Sequence, residues 1–115
     1  MINTSTPTSQ QNIDDMQQAA EQACTLMKTL SHPDRLMVLC QLKEGEKSVG
    51  EIAEMVGIAQ SPLSQHLSKM RLQGIVKNRR EAQSIFYSLA NQEVERIIDL
   101  LYVMYCSDVV ECQPE

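Results

Sequence analysis

Ser48-Val49-Gly50-Glu51-Ile52-Ala53, and after Gly57 the run Gln60-Ser61-Pro62-Leu63-Ser64-Gln65-His66-Leu67-Ser68-Lys69-Met70-Arg71, form two helix starts within a dozen residues of one another. The first is a capping box, in which the Ser48 hydroxyl accepts from the Glu51 backbone and the Glu51 carboxylate accepts in return from Ser48. It predicts a short helix with Ile52, Ala53 and Val56 inward and a stop at Gly57. The second start is Ser61-Pro62, with proline at the first helical position and Leu63, Leu67 and Met70 on one stripe as far as Gly74. Two capped helices joined by so short a turn predict a helix-turn-helix.

Working outward, the apolar period changes after Gly74. Ile75–Arg80 and Ser84–Leu89 flank the polar connection Glu81-Ala82-Gln83 and predict a β-hairpin, which makes the motif a winged one. Asn91 can cap a last helix from about Gln92 to Ser107, which is apolar nearly all round beyond its first two turns. Upstream, Ser31-His32-Pro33-Asp34 reads as a helix start, with Ser31 as cap, and that helix runs to Gly45. Before it, Met16, Ala20, Ala23, Met27 and Leu30 recur at a spacing of four and three, a seam suited to pack along another helix. Residues 1–12 are Ser, Thr, Gln and Asn-rich and read as a disordered tail. The expected architecture is mainly α with a β-hairpin wing: five helices and two strands in one domain over 13–115. A last helix so apolar needs a second surface, and the first and last helices together read as a homodimer interface.

At 115 residues the chain has room for one domain and none for a two-lobed enzyme. It is 43% hydrophobic and 22% charged, an ordinary globular composition. No apolar run approaches the roughly 18 residues of a membrane span, so a cytoplasmic location without membrane partners is expected. The net charge of -5 speaks against nucleic acid until it is divided along the chain. Residues 1–57 hold four bases and eight acids, and residues 81–115 hold Arg96 against seven acids. Between them, Ile58 to Arg80 contains Lys69, Arg71, Lys77, Arg79 and Arg80 and no acid. That window coincides with the second helix of the motif and the start of the hairpin. Gln60, Ser61, Ser64, Gln65, His66, Ser68, Lys69 and Arg71 then supply groups that read base edges and clasp phosphates. Lys77, Arg79 and Arg80 in the hairpin are placed for phosphates or an adjacent minor groove. A solvated basic face, or for His66 a contact within the helix, is the plainer reading of the same residues.

The four cysteines, Cys24, Cys40, Cys106 and Cys112, show no Cys-x-x-Cys, no Cys-x-Cys and no zinc-finger pairing with His32 or His66. A disulfide framework is not expected in a reducing compartment. Taken singly, each reads as a small buried hydrophobe.

Leu30-Ser31-His32-Pro33-Asp34-Arg35-Leu36, Ser48-Val49-Gly50-Glu51-Ile52-Ala53 and Gln60-Ser61-Pro62-Leu63-Ser64-Gln65-His66-Leu67, continued by Gly74-Ile75-Val76 and Phe86-Tyr87-Ser88-Leu89, resemble the ArsR-type winged-helix repressors. The resemblance covers about residues 15–107. It implies a homodimer, not an enzyme, that binds double-stranded operator DNA and releases it on a chemical signal. The family's metal signals are missing from their positions. Lys47-Ser48-Val49-Gly50-Glu51 lacks the arsenic-type Cys-x-Cys, and Asp99 has no histidine on the last helix to complete a zinc-type site. No metal and no cofactor is therefore expected. Cys40 and Cys106, in the settings Leu39-Cys40 and Met104-Tyr105-Cys106, resemble instead the reactive-sulfur-sensing branch of BigR, SqrR and HlyU type. That resemblance implies that a thiolate of low pKa attacks an organic persulfide or polysulfide. The second thiol then closes a di-, tri- or tetrasulfide bridge that lowers operator affinity and derepresses sulfide-handling genes. Cys24 and Cys112 match no position of the pattern. Peroxide or a thiophilic metalloid at the same thiols, a small thiol-dependent redox enzyme, and a winged helix used only for protein contact are the alternatives.

Overall fold

The computed structural model describes residues 10–106. Residues up to His32 form one unit and those from Pro33 onward another. The first unit is a single helix, α1 (Gln10–Leu30). It begins three residues before the expected start at Ile13, and the remainder of the expected tail lies outside the described residues. Thr25 and Thr29 turn their hydroxyls back onto the carbonyls of Glu21 and Thr25, at 3.0 and 3.3 Å. Two residues of the expected seam, Met16 and Met27, are exposed. Ser31 departs from its expected role as the cap of the next helix. Its hydroxyl donates to the Lys28 carbonyl at 2.7 Å and so closes the end of α1.

The second unit contains α2 (Pro33–Lys43), α3 (Val49–Val56), α4 (Gln60–Leu72) and α5 (Gln92–Tyr105), with a sheet of β1 (Lys47–Ser48), β2 (Val76–Glu81) and β3 (Ser84–Leu89). The sheet is antiparallel in the order β1-β3-β2. The expected fold had only the hairpin. The extra strand β1 is two residues long, Lys47 opposite Tyr87 and Ser48 opposite Phe86, too short for any alternation to register in the sequence. Its pairing comes from the free edge of β3.

The core draws one stripe from each helix. Leu63, Leu67 and Met70 of α4 are fully buried, as their spacing predicted, and the core also holds Ile52 of α3, Val38, Leu39 and Leu42 of α2, and Val94 and Ile98 of α5. Ile75, Val76 and Tyr87 close the sheet side. The capping box is formed in both directions: Glu51 N–H donates to Ser48 Oγ at 3.1 Å and Ser48 N–H to Glu51 Oε1 at 2.8 Å. Gly57, at φ 80°, takes the left-handed conformation that ends α3.

Helix α4 starts at Gln60 rather than at Pro62, with Ala59 as its cap residue. Its first internal bond runs from Leu63 N–H to Ala59 O at 3.1 Å, so the N–H that Pro62 lacks would have had no acceptor. At the other end Gly74 N–H meets Arg71 O at 3.0 Å and Ile75 N–H meets Met70 O at 2.9 Å, turning the chain into the sheet. Asn91 joins both ends of the wing. Its Oδ1 accepts from Val94 N–H at 2.8 Å to cap α5, and its Nδ2 donates to Gly74 O at 3.2 Å. The hairpin turns on Ala82 and Gln83, with Ala82 at φ 57°.

Candidate nucleic-acid interface and thiol pair

Helix α4 has two faces. The Leu63-Leu67-Met70 stripe is buried, and the rest of the helix presents Gln60, Ser61, Ser64, Gln65, Ser68, Lys69 and Arg71 exposed. All of the expected residues on this helix therefore share one accessible surface, except that His66 is half-buried at its flank. The N-termini of α3 and α4 lie close together, with a Cβ at Gly50 falling 3.9 Å from Gln60 Nε2. Between them and the wing turn opens a cleft of about 380 Å³, lined among others by Ser48, Gly50, Gln60, Ser64, Ser84 and Ile85. Its walls are mostly small or uncharged polar side chains, which let another backbone approach closely.

The wing divides its cations in a way that composition does not reveal. Successive residues of a strand point to opposite faces, so Arg80, opposite Ile85, lies on one face of the wing. Lys77 and Arg79, opposite Ser88 and Phe86, lie on the other face. There the Arg79 guanidinium sits 4.9 Å from the Phe86 ring centroid. It donates through Nε and Nη2 to both oxygens of Glu46, each at 2.8 Å, and through Nη1 to Glu81 Oε1 at 2.9 Å. The bidentate hydrogen bond from Arg79 holds the Glu46 carboxyl below the usual carboxylate range. The Arg79 charge is thus already met by two carboxylates, whereas Arg80, Lys69 and Arg71 are exposed and enter none of the ion pairs seen among the described residues. Neither Glu46 nor the clamp it forms was expected. The signal available was an acid two residues before the capping box of α3, which is not specific.

The two expected sensing thiols lie on neighbouring elements of the same unit. Cys40 is half-buried on α2, and Cys106, also half-buried, is the residue that ends α5, its N–H donating to Tyr102 O at 2.7 Å. They are within electrostatic reach of each other. Burial raises the Cys40 pKa above the ordinary thiol value, Cys106 adds to the rise, and Lys43 opposes it. The expectation of a thiolate of low pKa therefore does not hold for Cys40, because partial burial outweighs the single cation nearby. Lys43 makes a 3.1 Å ion pair with Asp99 of α5 and lies 5.1 Å from the centroid of the Tyr102 ring. Cys24 is exposed on α1, and Cys112 lies outside the described residues. No described helix is long and apolar enough to cross a membrane.

Comparison with known proteins agrees with this geometry. The model of the bacterial regulatory protein arsR family matches residues 32–78, from the end of the first unit to the start of the wing. The chain is 45% identical over 94 residues to the biofilm growth-associated repressor of Xylella fastidiosa, which covers 82% of both chains. Reduced HlyU from Vibrio cholerae superposes with a TM-score of 0.77 at 41% identity, over 81% of this chain and 98% of that one. The homodimeric winged helix-turn-helix DNA-binding domain of Mb0332 from Mycobacterium bovis gives 0.73 at 27% identity, over 89% and 94%. These relatives are named as regulators or DNA-binding domains, not as enzymes. With the winged helix-turn-helix in place and relatives of this similarity along most of its length, the chain belongs to the ArsR family of bacterial regulatory proteins.

Proposed function

We propose that this protein is a homodimeric transcriptional repressor that binds operator DNA in its reduced state and releases it when persulfides bridge Cys40 to Cys106. The observation that carries the reading is the joint occurrence, in one unit, of an exposed acid-free helix face and a half-buried thiol pair across α2 and α5. Gln60, Ser61, Ser64, Gln65 and His66 would address base edges in the major groove, and Lys69, Arg71, Lys77 and Arg80 the phosphates. Arg79, held by Glu46 and Glu81, would chiefly set the shape of the wing. Leu100, Val103, Met104 and Tyr105 of α5 are exposed in the single chain, an apolar face that a second copy would cover. The homodimeric relative supports that arrangement. The domain would then extend from residue 13 to the end of the chain, and its place would be the cytoplasm.

The chemistry balances with an organic persulfide as oxidant. A cysteine thiolate attacks the sulfane sulfur of RSSH, the S–S bond breaks, and RS⁻ leaves with the pair of electrons. A second persulfide extends the chain by one sulfur in the same way. The other cysteine then attacks the sulfur next to the first cysteine, expelling hydrosulfide and leaving a trisulfide. Two thiols and two persulfides thereby become one bridge, two RSH and one hydrogen sulfide. A bridge between α2 and α5 alters the packing beneath the dimer face. Two half-sites one helical turn apart, about 34–36 Å, are then no longer met together.

The test is fluorescence anisotropy with the duplex upstream of the protein's own gene. Reduced protein should bind with a log–log salt slope of roughly -0.9 per phosphate contact, and organic persulfide should abolish binding. Cys40→Ser and Cys106→Ser should bind and no longer respond; persulfide release in both variants would overturn the dithiol mechanism. Mass spectrometry of the released protein separates inserted sulfur from the plain disulfide that peroxide would leave.

A further inference from the structure

Lys43 follows Cys40 by three residues on α2, and Asp99, Tyr102 and Cys106 recur on α5 at spacings of three and four, so each set lies along one helix face. Lys43 meets Asp99 and Tyr102, while Cys40, one turn earlier on α2, is within electrostatic reach of Cys106, one turn later on α5, so the helices run antiparallel along this seam. We propose that Lys43 is a positioning residue for the Cys40 thiol: anchored by Asp99 and the Tyr102 ring, its ammonium stabilises the Cys40 thiolate, and Asp99 sets how much of that charge the thiolate receives. Its biological meaning rests on the sensing role of Cys40, but the electrostatics do not.

The groups acting on Cys40 are few. Burial raises its pKa first, Cys106 of α5 adds to the rise, and among the described residues Lys43 is the group that lowers it. Glu51 and Glu54 of α3 and Tyr87 of β3, the titratable groups of the other strand and helix packed on α2, do not act on it. Lys43 itself is held above the ordinary ammonium value, first by its hydrogen bond to Asp99, with Tyr102 and Glu44 adding to the effect. Its charge therefore persists through the pH range in which a raised thiol ionises. Asp99 plays two opposed parts: it keeps the ammonium in place and competes with the thiolate for it. An unpaired ammonium one helical turn away on the same face would leave Cys40 more reactive at neutral pH.

The experiment is alkylation of the reduced full-length protein with iodoacetamide across pH 6–10, with Cys40 followed by peptide mass spectrometry. The thiolate displaces iodide, so the rate follows its population. Lys43→Met should move the midpoint of the Cys40 profile to higher pH and slow alkylation at pH 8, below that midpoint. Lys43→Arg should restore the wild-type midpoint, and Asp99→Asn should move it to lower pH. A purely structural role for Lys43 would change the rate at every pH and leave the midpoint in place, which overturns the proposal. Should Lys43→Met fail to fold, Asp99→Asn decides, since an unchanged or raised midpoint there is equally fatal. No persulfide or DNA enters the assay. A wild-type protein that ignores persulfide would therefore defeat the sensing reading and leave this result intact.

Discussion

Helix α4 and the α2–α5 seam handle polar groups in opposite ways. Along α4, Gln60, Ser64, Gln65, Lys69 and Arg71 stand exposed with no acid on the helix, a surface whose bonding capacity is held open. Along the seam, Lys43 is committed to Asp99 and Tyr102, and the thiols of Cys40 and Cys106 are half withdrawn from water. An open set of donors suits a partner as highly charged as DNA. A closed set suits a switch, because each group there feels its neighbours and a single bond made or broken is transmitted to both helices. The wing contains both treatments: Arg80 lies exposed on one face, and Arg79 is closed by Glu46 and Glu81 on the other.

The largest test of this contrast concerns what carries the open surface. Leu67 is fully buried under α4, and Leu67→Ala should lower stability by about 2–5 kcal/mol in urea titration. Leu72, 80% exposed on the same helix, should tolerate alanine within about 0.5 kcal/mol. Next comes the proposed reading face of α4. Gln65→Ala should weaken operator binding by about 1–3 kcal/mol, relax specificity at one base position and leave the melting temperature nearly unchanged. Smaller is the contrast within the wing. Arg80→Ala should make the salt slope shallower by roughly 0.9, and Arg79→Ala by clearly less, in matched anisotropy titrations. The reverse order would show that the Arg79 clamp opens onto DNA.

The smallest effect is one of pH. Glu46 has a folded pKa below its unfolded value, so its clamp contributes stability above the unfolded carboxylate value, about 4.3, and loses it as pH falls through the folded one. Carboxyl NMR titration should place the Glu46 midpoint below the ordinary range and return it there in Arg79→Ala.

Much of the helix-turn-helix and its surroundings was legible in the chain. The Ser48–Glu51 box, the stop at Gly57, the Leu63-Leu67-Met70 stripe, the turn at Gly74 and the Asn91 cap all depend on groups within a few residues of each other, and all formed. Ser31 and Pro62 were misread by small margins. A hydroxyl beside two helices can serve either, and a proline anywhere in the first turn leaves the same backbone bonds intact. Strand β1 could not be seen, since two residues carry no period and owe their strand geometry to β3.

The sequence by itself thus determined the winged helix-turn-helix, the acid-free window and the two candidate thiols, because capping, periodicity and local charge are encoded over one or two turns. Tertiary structure alone decided how those residues divide their work. It set Arg79 against a carboxylate thirty-three residues away and left Arg80 open. It brought Lys43 to Asp99 and Tyr102, and it raised the Cys40 thiol by burying it beside Cys106. Those outcomes depend on distances between segments remote in the chain, and electrostatic and desolvation energies follow distance and burial in space rather than separation in sequence.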